Sequence, residues 1–206
     1  MPKLVLTYFD FDGSRGEVPR LAMHLAGIAF EDRRITNKDW PGVRDTAPFQ
    51  ALPMLEVDGQ VIAQSNTINR YVGKLAGLYP KDDWQAARVD EVMDAVEDIS
   101  TRLGYTFTLE GEAKQKAREA LAVGPIPRFL QQIEARLKAG GSEWFVENRL
   151  TVADLKCYLL VRWLKSGVLD HIPATIVDQH APLLAKHLER VEGYPEVAAY
   201  YAARRK

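Results

Sequence analysis

Ten residues constrain this chain more than any others: Met54-Leu-Glu-Val-Asp-Gly-Gln-Val-Ile-Ala63. Residues 54–57 and 60–63 read as two short strands. Asp58-Gly59 between them is the strongest short-range hairpin signal, because a type I′ turn needs φ > 0 at both central positions. Pro53 stands just before the first strand. It has no N–H, so pairing on that side stops there, and Leu52 is pushed to an extended conformation. Leu52 then presents free backbone N–H and C=O groups at a sheet edge, where an extended peptide can pair. Gln64 and Ser65 follow the second strand. Ser65 is a good N-cap for a helical run with Ile68, Val72 and Leu75 on one face. The positive end of that helix lies beside the Pro53 turn. A backbone slot next to an anion slot suits a small acidic peptide. A plain hairpin and capped helix has an equal claim on the same residues.

The rest of the chain places this hairpin in a mixed sheet. Lys3 to Thr7 reads as a buried strand with Tyr8 at its end, followed by a two-glycine loop from Phe9 to Gly16. Glu17 opens a helix with Val18, Leu21, Ala22 and Leu25 on one face, and Gly27 stops it. Phe30 to Ile35 is a second strand, so the unit is strand–helix–strand with a right-handed crossover. Residues 36–48 form a polar loop or short helical turn containing Trp40, Pro41 and Arg44. The order βαβ-ββα implies a four-stranded mixed sheet covered by helices. After residues 79–83 every signal is helical. One helix runs from Trp84 to about Tyr105, and another from Glu112 to Ala139 is interrupted at Gly124. Thr151-Val-Ala-Asp154 resembles a capping box with Asp in place of Glu, and two or three short helices fill Pro173 to Arg204. The expected organisation is an α/β domain over 1–78, a linker over 79–83 and an all-α domain over 84–206.

Composition excludes several functions. The 206 residues carry a net charge of −1, which sets up no field for nucleic acid or an anionic membrane. No apolar run approaches the roughly 20 residues of a membrane span, and the N-terminus has no signal-peptide pattern. Cys157 is the single cysteine. It allows no intramolecular disulfide and no C-x-x-C redox site, and it fits a reducing cytoplasm. His24, His171, His180 and His187 lack metal-ligand spacing, so no metal is expected.

The free end of the first strand, the Pro53 turn and the start of the Ser65 helix should be neighbours, and ligands in open α/β sheets gather at such edges. Tyr8, Phe9, Ser14, Arg15, Trp40, Arg44, Leu52, Gln64 and Ser65 arrive there. They offer a phenolic donor, two guanidiniums, an indole and a helix N-terminus, but no His or Cys. The nucleophile must therefore come with the ligand, and a thiol suits this. The thiolate is the reactive form, with a free pKa near 8.5. A Tyr O–H donated to sulfur favours the charged form and lowers that value. Each residue also has an ordinary use: Tyr8 as a strand-end tyrosine, Trp40 as cover for the core edge, Gln64-Ser65 as a cap, Asp98 as an exposed helix residue.

The chain resembles a cytosolic glutathione S-transferase of the tyrosine-dependent, sigma-like class over essentially its whole length. The residues that carry the resemblance are Tyr8-Phe9 with Arg15-Gly-Glu17, Asp39-Trp40-Pro41, Leu52-Pro53-Met-Leu-Glu-Val-Asp-Gly59, Gln64-Ser65, Arg88-Val-Asp-Glu91 with Glu97-Asp98, and Leu150-Thr-Val-Ala-Asp-Leu155. The resemblance implies a thioredoxin-like N-terminal domain, an all-α C-terminal domain, a homodimer and a cytoplasmic detoxification enzyme. It implies that Tyr8 donates its hydroxyl to the glutathione sulfur, with Arg15 in support. Leu52, before a cis Pro53, pairs its backbone with the cysteinyl unit. Gln64 and Ser65 hold the γ-glutamyl carboxylate, Trp40 and Arg44 face the glycyl end, and Asp98 reaches the glutathione of the other subunit. Phe9, Ser14, Gly104, Tyr105 and Thr108 line the pocket for an electrophilic second substrate. Glutathione-dependent peroxide reduction, isomerisation, or glutathione or hydrophobic-ligand binding without catalysis are the alternatives. This sequence departs from the pattern in two places. The loop between Tyr8 and Arg15 is about one residue longer than in close relatives, which leaves Ser14 and Arg15 as rival assistants to Tyr8. Ala51 replaces a polar residue common before the Leu-Pro pair.

Overall fold

The computed structural model describes residues 2–141 and 143–204. By their contacts they divide into two compact units. In the first, the elements are β1 (Leu4–Phe9), α1 (Glu17–Leu25), β2 (Glu31–Ile35), α2 (Trp40–Arg44), β3 (Met54–Val57), β4 (Gln60–Ala63) and α3 (Ser65–Leu75). The sheet order is β2-β1-β3-β4. β1 and β2 are parallel, as the crossover rule requires, and the other two pairings are antiparallel. This is the four-stranded mixed sheet expected from the βαβ-ββα order, in the thioredoxin-like arrangement that the resemblance implied. Asp58 and Gly59 take φ of 48° and 84°, so the β3–β4 hairpin turns as its dipeptide dictates. The Asp58 carboxylate also accepts the Lys3 backbone N–H at 2.8 Å, tying the turn to the start of β1.

β1 is the buried strand that its sequence reading expected, with its bounds moved along the chain: it starts at Leu4, runs on to Phe9, and buries Leu4 through Tyr8. A strand paired on both edges and covered on both faces buries every side chain. On α1, Val18, Leu21 and Ala22 face the core as expected, but Glu17 and Arg20 are buried with them.

The second unit holds α4 (Asp83–Tyr105), α5 (Gly111–Val123), α6 (Pro125–Ala139), α7 (Val152–Lys165), α8 (Ile176–His180) and α9 (Pro182–Glu192). α4 starts one residue before the expected Trp84, because Asp82 caps it by accepting the Gln85 N–H at 2.9 Å. Val89, Val92, Met93, Val96, Ile99 and Leu103 form its buried stripe. Gly124, at φ −119° and ψ −92°, separates α5 from α6, where Pro125 is tolerated in the first turn. α7 is the centre of this unit. Ten consecutive residues from Val152 to Val161 are buried, the mark of a helix surrounded on all sides. Its start carries the full capping box: Thr151 and Asp154 exchange side-chain and backbone hydrogen bonds. Cys157 lies on this helix, fully buried, and burial pushes its thiol well above the usual cysteine range. It is a small core residue and an inert one.

By its contacts the chain from Pro195 onward, within the expected helical domain over 84–206, groups with the first unit. Its helix, α10 (Pro195–Ala202), buries Val197 and Tyr200. The Tyr200 ring meets His24 of α1 edge-on at 5.0 Å. Among the described residues no helix is long and apolar enough to cross a membrane.

Candidate active site

Strand register assembles the site. Thr7 pairs with Met54, and Met54 pairs with Ala63. Tyr8, Pro53 and Gln64 each lie one residue beyond these partners, so all three stand at the same end of the sheet. The Leu52–Pro53 bond is cis, as the resemblance implied. Gln64 turns the chain into α3 with φ 70° and ψ 118°, a conformation rarely adopted by a non-glycine residue. Such strain persists only where its surroundings hold it, and it concentrates at ligand sites. The cap also differs from the sequence reading. Gln64, not Ser65, is the N-cap: its carbonyl accepts the Ile68 N–H at 3.0 Å, and Ser65 is the first helical residue, buried. The N-terminal N–H groups of α3 still open at this edge.

Tyr8 is buried at the end of β1, and its hydroxyl donates to Ser14 Oγ at 3.1 Å. Burial raises its pKa above the ordinary tyrosine value, while the Ser14 hydrogen bond, the Arg15 charge and backbone amide, and the Arg20 charge pull the other way. The net effect is a phenol that stays protonated at neutral pH. Ser14, at φ 57°, sits in the short helical turn Ser14–Gly16 that also carries Arg15. The Phe9 ring lies edge-on to both Tyr8 at 5.5 Å and Trp40 at 5.6 Å, so Trp40 reaches the site through an aromatic step. Arg44, at the end of α2, is half-exposed and stands 3.8 Å from Asp45. In the second unit, Asp98 is exposed in the middle of α4. Gly104 and Tyr105 end that helix, and Thr108 donates its hydroxyl to the Tyr105 carbonyl at 2.8 Å. Among the described residues no group of three or more His, Cys, Asp or Glu is placed to hold a metal ion.

Two residues that sequence reasoning did not single out shape this site. Gly16 packs its backbone directly on Tyr8: a Cβ there would lie 2.3 Å from the Tyr8 ring. Its φ of −82° suits any residue, so glycine is required here by the close approach alone. Gly16→Ala is therefore expected to displace the Tyr8 ring and to destabilise the protein by about 1–3 kcal/mol, the usual range for overpacking. Urea unfolding measures this, and an unchanged midpoint would show that the ring yields freely. Arg20 is the second. It is fully buried under the loop, donating to Asp32 at 2.9 Å and to the Phe11 carbonyl at 3.1 Å, with its guanidinium 5.7 Å from the Tyr8 ring centroid. An arginine three residues after Glu17 on an otherwise apolar helix face was the available signal.

The comparisons with known proteins agree with this geometry. Residues 4–74 match the family described as glutathione S-transferase, N-terminal domain, and residues 97–204 match glutathione S-transferase, C-terminal domain. Glutathione S-transferase 1 of Ascaris suum is 36% identical, with 100% of this chain and 98% of that protein covered. The hematopoietic prostaglandin D synthase of Gallus gallus is 33% identical, with 100% and 98% covered. Among solved structures, the glutathione S-transferase from Ascaris lumbricoides superposes with a TM-score of 0.85 at 37% identity, covering 100% of this chain and 98% of that one. Full-length matches of this quality, together with the thioredoxin-like sheet and the helical unit that follows it, show that the chain belongs to the glutathione S-transferase family and is a transferase enzyme.

Proposed function

We propose that this chain binds glutathione along the edge where Tyr8, the Leu52–Pro53 turn and the start of α3 meet, and that the Tyr8 hydroxyl holds the sulfur as a thiolate. The observation that carries the reading is Tyr8 itself: a buried phenol kept protonated, with its O–H aimed at Ser14 Oγ 3.1 Å away at that edge. An incoming thiolate accepts this hydrogen bond more strongly than a neutral hydroxyl does. The Leu52 backbone serves the cysteinyl unit, the α3 N-terminus with Gln64 and Ser65 serves the γ-glutamyl carboxylate, and Trp40 and Arg44 serve the glycyl end. The thiolate attacks an electrophilic carbon of a hydrophobic second substrate, and the leaving group departs with the electron pair. Arg15 adds positive charge beside the phenol. In a cytoplasmic homodimer, Asp98 would meet the γ-glutamyl amine of the other subunit's glutathione.

The test is to mix glutathione with the protein at neutral pH and follow thiolate absorbance, then add a chloro-dinitro aromatic and follow the thioether. A thiolate band with chloride displacement is expected. Glutathione bound without a thiolate band would instead mean a binding protein. A second reading, glutathione-dependent isomerisation, is favoured by the full-length prostaglandin D synthase relatives. It shares the thiolate but needs an electrophile from which the sulfur is expelled again, so that glutathione is regenerated and none is consumed.

A further inference from the structure

The loop between Tyr8 and Ser14 is held by a network of three guanidiniums and four carboxylates. Arg20 donates to Asp32 Oδ1 at 2.9 Å, to Glu17 Oε2 at 3.4 Å, and to the loop carbonyls of Phe11 and Phe9 at 3.1 and 3.4 Å. Arg34 on β2 donates to Asp32 Oδ2 at 2.8 Å, Asp12 Oδ1 at 3.0 Å and Asp10 Oδ1 at 3.4 Å. Arg204, just past α10, completes the set. It donates to Asp12 Oδ1 at 3.0 Å and Glu17 Oε1 at 3.4 Å, and it stands 3.7 Å from Asp32.

These contacts divide the work by position. Arg20 supports the loop backbone from inside the core, and removing it would leave the fully buried Glu17 with only the partly exposed Arg204 as its cation. Arg204 grips the loop from outside and is about a quarter exposed, so it can be changed without opening the core. It is also well anchored. Its guanidinium covers the Tyr200 ring at 3.9 Å and hydrogen-bonds the Tyr200 hydroxyl, and that ring is seated on His24. Asp12, which Arg204 and Arg34 share, lies two residues before Ser14, the acceptor of the Tyr8 hydroxyl.

We propose that Arg204 is a positioning residue for the Tyr8–Ser14 pair: α10 clasps the active-site loop through Asp12 and so sets how well Tyr8 holds a thiolate. The proposal rests on the thiolate role of Tyr8 given above. Its test uses Arg204→Gln, Arg204→Lys and Asp12→Asn in the full chain. Backbone hydrogen exchange of residues 9–16, measured without glutathione, should quicken in Arg204→Gln and Asp12→Asn while α3 exchanges as before. The thiol of bound glutathione should titrate a few tenths of a unit higher, and kcat should fall about two- to fivefold with the glutathione KM nearly unchanged. Arg204→Lys should recover part of the loss. The double variant Arg204→Gln/Asp12→Asn should lose less than the two single losses combined, because both remove the same Arg204–Asp12 contact. Unchanged loop exchange, or fully additive losses in the double variant, would overturn the clasp. Should wild type bind glutathione with no thiolate band, the Tyr8 reading fails, and exchange in the free protein still decides whether the clasp exists.

Discussion

Tyr8→Phe is expected to lower kcat/KM for glutathione conjugation about 10- to 100-fold while leaving glutathione affinity largely intact. A hydrogen bond to a charged acceptor contributes about 1.5–3 kcal/mol, and each 1.4 kcal/mol is a factor of ten. The same energy moves the thiol of bound glutathione up by about 1–2 units toward its free value near 8.5, so less thiolate is present at neutral pH. The acidic limb of the pH–rate profile should move up with it. On the alkaline side the sign is opposite. Burial raises the Tyr8 pKa above the usual tyrosine value, so the wild-type donor keeps its proton through neutral and moderately alkaline pH. A fall in wild-type rate caused by Tyr8 ionisation should begin only at a pH above that of an ordinary tyrosine and be absent from Tyr8→Phe. Because Tyr8 lies within the core, the Phe variant keeps the ring and should fold normally. Equal rates in the two proteins would remove Tyr8 as the key donor and direct attention to Ser14 and Arg15.

What could be read from the sequence was local. Asp58-Gly59 turns as expected because two adjacent residues decide a type I′ turn, and the Thr151–Asp154 cap forms because its partners are three residues apart. Tyr8 and Pro53 could be brought together from sequence because strand order fixes which ends of a sheet coincide. What escaped was long-range or sterically unusual. Arg20 was not singled out and Glu17 was read only as the start of its helix; the distant Asp32 and Arg204 make their burial tolerable. The packing of α10 was not legible either, because nothing in residues 195–202 says which surface receives Val197 and Tyr200. Ser65 was read as the cap because serine prefers that position. The backbone of Gln64 at φ 70° shifted the cap by one residue, and no propensity scale anticipates such a conformation at a non-glycine residue.

Asp154→Ala is expected to cost the protein about 3–5 kcal/mol, more than any other single change considered, although the residue lies on α7 in the second unit. Its carboxylate is fully buried and accepts four hydrogen bonds: from the Thr151 N–H at 2.8 Å, the Thr151 hydroxyl at 2.7 Å, the Phe145 N–H at 3.1 Å and His187 Nε2 at 2.9 Å. Two of these donors are backbone groups and none is solvated, so truncation orphans them all at once. The His187 contact requires the tautomer with its proton on Nε2, and His187 Nδ1 has no partner of its own. Loss of Asp154 thus leaves the imidazole with both nitrogens unpaired in an apolar pocket between Trp144 and Phe145. Thr151→Ala should cost less, about 1–2 kcal/mol, because it removes one cap donor and keeps the carboxylate bonded to the other three. At this chain length a loss of 3–5 kcal/mol corresponds to roughly 10 °C in melting temperature. The comparison to make is urea unfolding of Asp154→Ala, Thr151→Ala and wild type, followed by helical circular dichroism. A penalty for Asp154→Ala no larger than that for Thr151→Ala would mean that the cap is local to the helix start and that the links to Phe145 and His187 add nothing. The larger penalty is expected because one carboxylate joins three separate chain segments.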